Sequence, residues 1–281
     1  MRYLVIIILL TAASNIIAQG SRDSLLYKWA NKGVAGLNAS QVAFSDWSQG
    51  GENSITWILM GDMGFNYYSR SYSFLNSVKL SYGRTKLGSS DYRTSDNEFY
   101  LENVLSYLVG WAVEPYVSNT IRSAISTGYN YKDTPYVKIA DFFDPGYVTQ
   151  SIGFAYTRNR YVTTRLGVAF QEVFTNSYRQ YSDDPGTRDK LEAFKFETGI
   201  ESVTDLAADL GENLLYTGKL RLFTRFKNMD IWDVRWDNTI AAQVNKYVSV
   251  KLNILTVYEK SQSPRTQLKE ALLLGLTYTL F

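Results

Sequence analysis

Apolar and polar side chains alternate along segments that are longer than ordinary strands, and this alternation constrains the fold more than any other feature. From Ser54 to Ser69 every second residue on one face is apolar, including Trp57 and Phe65. Strands of soluble proteins are usually about 5–6 residues long. A strand that crosses a bilayer instead alternates lipid-facing apolar residues with lumen-facing polar ones. The pattern therefore predicts membrane-spanning β-strands.

Twelve segments carry this alternation, nine of them clearly and three weakly. An even number of strands, with both termini in the periplasm, is typical of a single-chain bacterial barrel. We therefore predict an all-β protein, a transmembrane antiparallel up-and-down β-barrel of about 12 strands. The clear segments are 54–69, 71–85, 147–157, 161–174, 191–202, 214–227, 231–245, 247–260 and 266–281, and the weak ones are 32–42, 97–109 and 111–126.

The breaks between these segments alternate between long and short. Breaks at 43–53, 86–96, 127–146 and 175–190 are long, whereas those at 69–70, 110 and 158–160 are tight. Barrels have long external loops and short periplasmic turns, so we expect the first strand to run outward. The rule weakens later, because we expect a longer periplasmic connection at 205–213 and a short external one at 228–230.

A soluble β-sandwich or lipocalin-like barrel is the competing interpretation, since it also alternates. Its apolar face would lie inside. Mean hydropathy is only −0.20 and 22 residues are tyrosine. Membrane helices would need apolar runs of about 20 residues, whereas aromatic residues suit strands and interfacial girdles. The long strands favour the membrane barrel.

Both ends of the sequence resemble export and insertion signals. Arg2 precedes a short apolar core, and the small residue Ala18 precedes Gln19, as in a cleaved signal peptide. We expect residues 1–18 to be the signal peptide, 19–31 a periplasmic segment and 32–281 the outer-membrane barrel. The last strand ends in an aromatic residue, as is common in outer-membrane barrels. The barrel-insertion machinery recognises such a terminal strand by pairing with it. The residues of this expected insertion signal are Gly275, Tyr278, Leu280 and Phe281.

Composition excludes several chemistries. The chain has neither cysteine nor histidine, so it lacks thiolates and the commonest general base and transition-metal ligand. No residue spacing indicates a catalytic, metal or nucleotide site, and we expect neither enzymatic activity nor a cofactor. A net charge of +2 gives no basic footprint for nucleic acid.

One constellation of charged residues stands out, on the predicted inward face of four consecutive strands. Six cations and four anions lie there. Buried charges must be paired, so these residues form either a salt-bridge ladder that fills the lumen or a pore wall with a mild preference for anionic solutes. They are Lys195, Glu197, Glu201, Lys219, Arg221, Arg225, Asp233, Arg235, Asp237 and Lys251.

The segment from Phe44 to Asn53 resembles the hallmark of a Bacteroidota outer-membrane family known only as a domain of unknown function. Its Trp-Ser-x-Gly-Gly-x-Asn core is matched by Trp47, Ser48, Gly50, Gly51 and Asn53. Segments 80–86, 94–96 and 142–147 are similar to further segments of that family, in the same order. The resemblance implies an outer-membrane location and a barrel fold. It does not imply any particular activity, because the family has no established one. Physically, the two glycines permit a sharp reversal, and the segment is either a turn with an interfacial anchor or a recognition element at the external rim.

Two functions follow as hypotheses. The first is a narrow channel or transport barrel for small solutes. The alternative is a plugged barrel that serves as a structural or docking component, with surface lipoproteins or an envelope complex as partners. In either case the expected contacts include outer-membrane lipid and, during biogenesis, the barrel-insertion machinery.

Overall fold

The computed structural model describes residues 25–45, 51–132, 134–184, 186–187, 190–260 and 265–280, and most of them lie in strands. A single 3-10 turn, Arg179–Tyr181, interrupts one connection. The described part of the chain contains no helix with the length and hydropathy needed to cross a membrane. The strands are β1 (Trp29–Val42), β2 (Ser54–Tyr68), β3 (Tyr72–Leu87), β4 (Arg93–Tyr107), β5 (Glu114–Ser123), β6 (Gly128–Asn130), β7 (Val137–Ala140), β8 (Gly146–Tyr156), β9 (Val162–Phe174), β10 (Phe194–Gly211), β11 (Leu214–Arg225), β12 (Asn228–Gln243), β13 (Val248–Tyr258) and β14 (Gln267–Thr279).

Twelve of these strands form one closed antiparallel barrel in the order β1-β14-β13-β12-β11-β10-β9-β8-β5-β4-β3-β2. Each pairs with its neighbours along the chain, except that β5 pairs with β8 and β14 closes the ring on β1. The two remaining strands, β6 and β7, form a small hairpin within the connection between β5 and β8. The predicted number of strands and their up-and-down order are confirmed.

The two faces of the wall differ as the alternation predicts. Along β14, Leu272, Leu274 and Leu276 are 69%, 59% and 60% exposed on the outside of the barrel. The opposite face points inward, where Phe223 is fully buried and charged residues such as Glu102 and Glu201 are nearly so. An apolar outer surface around a polar, filled interior is the arrangement of a transmembrane barrel, not of a soluble one.

Long and short connections lie at opposite ends of the barrel. One end has the loops at 43–53, 124–145 and 175–193, and the other has the turns at 69–71, 157–161 and 212–213. β1 begins and β14 finishes at the short-turn end, which is where barrels place their termini. We refer to these ends as the long-loop end and the short-turn end.

One predicted connection is wrong. Residues 205–213 are not a long turn, because β10 continues to Gly211 and pairs with both neighbours. Its alternation is inverted for three residues: Ser202 and Thr204 face outward, while Val203 is buried inside. The outward apolar pattern returns at Leu206, so the strand is continuous although its sequence signal is broken.

Other strand boundaries differ from the prediction by a few residues. β1 begins at Trp29 instead of Lys32, β4 begins at Arg93 instead of Asn97, and β5 begins at Glu114 instead of Trp111. The expected long break at 86–96 shrinks to 88–92. Backbone pairing continues where a strand projects beyond the bilayer, although the outward face there no longer has to be apolar. The β6–β7 hairpin was not predicted, because its strands are too short to show a period.

The seam that closes the barrel has the shortest ladder among its twelve interfaces. β1 and β14 share six residue pairs, from Val34↔Thr279 to Ala39↔Leu274. On its other side, β1 pairs with β2 over its full length, from Trp29↔Tyr67 to Val42↔Ser54. Near the long-loop end, the described residues of β14 pair with β13 alone.

Candidate functional site

The ten charged residues singled out in the sequence share the inward face of β10, β11, β12 and β13. The register brings them into rows, since Lys219 lies opposite Asp237 and Arg221 opposite Arg235. In each strand they alternate with outward apolar residues, so the face prediction holds for all four strands. What each residue contacts depends on its level along the barrel.

The level nearest the long loops is an ion cluster around Arg225. Its Nε lies 2.7 Å from Glu197 Oε1 and its Nη2 lies 2.8 Å from Asp233 Oδ2. Lys195 Nζ adds a third contact, 3.1 Å from the same Glu197 oxygen. All four side chains are largely buried. Two cations and two anions therefore neutralise each other between β10, β11 and β12.

The next level is centred on Arg221. Its Nε donates to Glu201 Oε1 at 2.6 Å and its Nη2 donates to Gln171 Oε1 at 3.0 Å. The ring of Phe223 lies between this guanidinium and that of Arg225. Its centroid is 5.3 Å from Arg221 Cζ and 5.5 Å from Arg225 Cζ. Cation–π attraction is strongest when the groups are desolvated, so a buried aromatic ring here joins the two ionic levels.

A further ion pair reaches across the lumen from Arg235, which lies opposite Arg221 in the register. Arg235 Nη2 in β12 donates to Glu98 Oε1 in β4 at 2.6 Å. These two strands are six places apart in either direction around the twelve-stranded ring, so the bond joins opposite walls. Glu98 was not among the predicted site residues.

A four-residue cluster, which we call the septum, forms a second bridge between distant walls. Glu102 in β4 lies 2.6 Å from both Arg165 Nη2 in β9 and Lys219 Nζ in β11. Asp205 in β10 is 2.9 Å from Lys219 and 3.8 Å from Arg165. Only Lys219 was predicted. Alternation places a residue on the inward face, but it does not show which distant strand provides the partner.

Two of the predicted residues stay outside these clusters. Asp237 Oδ1 accepts a hydrogen bond from Asn253 Nδ2 at 2.8 Å. The Lys251 ammonium lies 3.5 Å from the Met60 sulfur and forms no ion pair within the described residues. Their environment is polar and less tightly neutralised.

Between the septum and the short-turn end, the lumen widens into a cavity of about 850 Å³, which we call the vestibule. The septum residues form its inner end, and Tyr68, Thr157 and Arg160 lie near its rim. Polar and charged side chains from most of the strands line the wall between. These include Lys32, Asp62, Asn66, Lys79, Asp237 and Thr239.

The hallmark segment is only partly described. Trp47, Ser48 and Gly50 lie outside the described residues. Gly51 adopts φ +131°, which an L side chain rarely adopts, and Asn53 Oδ1 accepts a 2.7 Å hydrogen bond from the Phe44 amide. The hydrogen bond joins the two described ends of the segment, and both the turn with an interfacial anchor and the role in recognition stay predictions.

The expected insertion signal lies on β14 and just after it. Tyr278 and Leu280 are exposed on the outer surface. Gly275 faces inward, where a Cβ atom would collide with the end of the Asn38 side chain of β1, so a larger residue there would displace Asn38. Phe281 lies outside the described residues.

Comparison with known proteins adds one family match. A family model described as a protein of unknown function (DUF3078) matches residues 39–129, less than half of the chain. This range contains the whole hallmark segment. No curated protein sequence matches the chain.

Several solved structures are similar in outline. An outer membrane channel from Pseudomonas putida F1 is 11% identical, with a TM-score of 0.40, over 89% of this chain and 94% of that one. The translocator domain of the autotransporter NalP from Neisseria meningitidis is 10% identical, with a TM-score of 0.38, over 93% and 94%. The CymD monoaromatic hydrocarbon channel is 10% identical, with a TM-score of 0.34, over 96% and 94%. Similarity at this level does not indicate what this chain binds or transports.

Proposed function

We propose that this chain is an outer-membrane barrel whose lumen is closed at rest, and that it serves as a docking component of an envelope complex through the vestibule. The observation that carries the proposal is the pair of bridges between distant walls, Arg235 to Glu98 and Lys219 to Glu102. An open pore keeps its wall charges apart and in contact with water. Here they neutralise each other across the lumen.

The vestibule supports the docking part of the proposal. In the orientation typical of barrels, the short-turn end faces the periplasm, so the vestibule opens towards periplasmic partners. Its volume of about 850 Å³ falls within the roughly 300–1,000 Å³ range of ligand pockets. Lys32 and Lys79 line it and form no ion pair within the described residues. A partner segment with acidic side chains would complement them.

A narrow channel for small solutes is the second candidate. Two inward cations favour it, since neither Arg122 nor Lys251 forms an ion pair within the described part of the chain. The Arg122 guanidinium stacks instead on the Tyr147 ring, 5.3 Å from its centroid. Such cations would give an opened lumen a preference for anions.

Conductance across a planar bilayer tests the closed lumen. The purified protein should show no stable conductance steps. Glu98→Ala combined with Glu102→Ala removes both bridges, including the contact of Glu102 with Arg165, and should produce steps, whereas Lys251→Ala should leave the bilayer silent. Stable steps from the unaltered protein would contradict the closed lumen and support the channel.

A cross-linking experiment tests the docking role separately. A photoreactive residue in place of Lys79 inside the vestibule should give a discrete protein adduct in intact cells. The same residue in place of Ile254, on the outer wall of β13, is the control and should give none. If Lys79 gives no adduct in cells where the barrel is correctly folded, the docking role is wrong.

A further inference from the structure

A row of amide side chains crosses four neighbouring strands on the outer wall. The register aligns Asn76 of β3 with Asn103 of β4, Asn103 with Asn119 of β5, and Asn119 with Gln150 of β8. All four are partly exposed. They share the outward face with Val117, which is 45% exposed. We call this set the amide row.

The adjacent inward positions confirm the direction of these side chains. On β4, Asn103 lies between Glu102 and Val104, both buried in the lumen. On β8, Gln150 lies between Thr149 and Ser151, which are also buried. Because successive side chains on a strand point to opposite faces, the amides point towards lipid.

The amide row lies at hydrocarbon depth. We take Tyr72 and Tyr82, two outward aromatic residues of β3, as the positions of the two interfaces, because aromatic girdles lie there in membrane barrels. They are separated by about 33 Å along the strand and, at a tilt of about 45°, by about 23 Å in height. Asn76 lies about 9 Å inside the short-turn interface by the same geometry. Apolar outward residues flank the row on both sides, toward the short turns Phe74, Leu105, Val117 and Ile152, and toward the long loops Val78, Leu101, Ile121 and Val148.

The hydrogen-bonding capacity of the row is mostly unused. Asn76 Nδ2 donates to Asn103 Oδ1, but Asn119 and Gln150 form no side-chain hydrogen bond within the described residues. Some polar groups elsewhere on the outer wall are satisfied locally. On the opposite wall, for example, Asn238 Oδ1 accepts a 2.7 Å hydrogen bond from the Tyr216 hydroxyl. Hydrocarbon offers no replacement partner, so an unpaired amide there is costly.

We propose that the amide row is the contact surface between two copies of this chain in the membrane. A carboxamide has two donor hydrogens and an acceptor oxygen, so a row of amides is complementary to itself. A two-fold axis along the membrane normal would bring the same patch of each barrel face to face. The barrel surface is convex, so closest contact falls at the middle of the row, on Asn103 and Asn119. Interhelical hydrogen bonds between polar side chains stabilise membrane assemblies in the same way.

Because the chain contains no cysteine, a single introduced thiol reports directly on this contact. Asn119→Cys, oxidised in native membranes with copper phenanthroline, should give a disulfide-linked dimer. Asn238→Cys is the matched control: it replaces an outward amide at the same distance from the short-turn end of its strand, on the opposite wall. A cross-link from Asn238→Cys and none from Asn119→Cys would overturn the proposal.

Sedimentation in detergent then measures the strength of the contact. Asn103→Leu combined with Asn119→Leu should weaken the dimer by about tenfold or more, while heat-modifiable mobility shows that the barrel is still folded. Asn238→Leu should leave the dimer unchanged. A protein that is monomeric without substitution, a dimer that survives the double substitution, or a cross-link from Asn119→Cys to a different polypeptide would each refute contact between copies.

Discussion

Glu98 and Arg235 belong to diametrically opposite strands of the barrel, yet the Oε1 and Nη2 atoms of this pair are 2.6 Å apart. The side chains are 37% and 22% exposed, so water screens their attraction. We expect a double-mutant cycle with Glu98→Gln and Arg235→Gln to give a coupling energy of about 0.5–1 kcal/mol. Urea unfolding of the barrel in lipid vesicles would measure it. A coupling energy of zero would mean that this ion pair does not join the two walls in the folded barrel.

The Arg221–Glu201 pair should behave differently, because its side chains are only 15% and 7% exposed. Glu201→Gln leaves a buried guanidinium without its counter-charge and should lower the free energy of unfolding by about 3–5 kcal/mol. Exchanging the two residues, Arg221→Glu with Glu201→Arg, should recover part of that loss. If Glu201→Gln lowered the free energy of unfolding no more than Glu98→Gln in the same urea titration, burial would not determine how strongly these ion pairs stabilise the barrel.

The lipid-facing register of β14 predicts an asymmetry between neighbouring residues. Leu274 is exposed on the outer wall, so Leu274→Arg near the midplane should lower the free energy of unfolding by roughly 2–4 kcal/mol. Leu273 points inward, paired in register with Lys251, so Leu273→Glu adds an opposite charge and should cost less. Leu274→Glu is the matched control for the type of substitution. A larger cost for Leu273→Glu than for Leu274→Glu would mean that the register is shifted by one residue.

The connection between β9 and β10 should loosen at low pH. Glu192 accepts hydrogen bonds from the Thr187 hydroxyl at 2.7 Å and the Asp184 amide at 3.2 Å. These bonds, led by that of Thr187, lower the pKa of the Glu192 carboxyl to about 2. A lowered pKa stabilises the folded loop above the ordinary pKa of a glutamate, and the contribution disappears as the pH falls through about 2.

Hydrogen exchange of segment 182–192 measures this loosening. Protection should persist at pH 4 and disappear near pH 2, and Glu192→Gln should reduce it already at neutral pH. Loss of protection at pH 4.5 in the unaltered protein would contradict the assignment to Glu192.

Processing of the N-terminus gives a further test. The short apolar core and Ala18 predict cleavage before Gln19. Mass spectrometry of the membrane-inserted protein should therefore find Gln19 as its first residue, free or cyclised. A membrane-inserted protein that still begins at Met1 would refute the signal peptide.

The sequence predicted the barrel because alternation is a local property that a lipid-facing wall imposes on every strand. The prediction from alternation was wrong where the outward face is not uniformly apolar, as in the inverted stretch around Val203, and where no lipid-facing wall exists, as in the β6–β7 hairpin. The inward positions of Arg221 and Arg235 were predictable for the same reason. Their distant partners were not, because the pairing of Glu98 or Glu102 with another wall depends on the closed ring. Asn103 and Asn119 lie in two of the three segments that show only weak alternation. The alternation is weak there because these amides occupy outward positions that are otherwise apolar.

The six residue pairs at the β1–β14 seam also determine how the barrel responds to mechanical force. An antiparallel ladder resists separation through its backbone hydrogen bonds, and the neighbouring β1–β2 ladder has more than twice as many paired residues. A pulling force applied between the first and last strands would therefore part the seam first. β1 would stay attached to β2, and the cylinder would unroll into a flat sheet instead of losing its strands one at a time from the end.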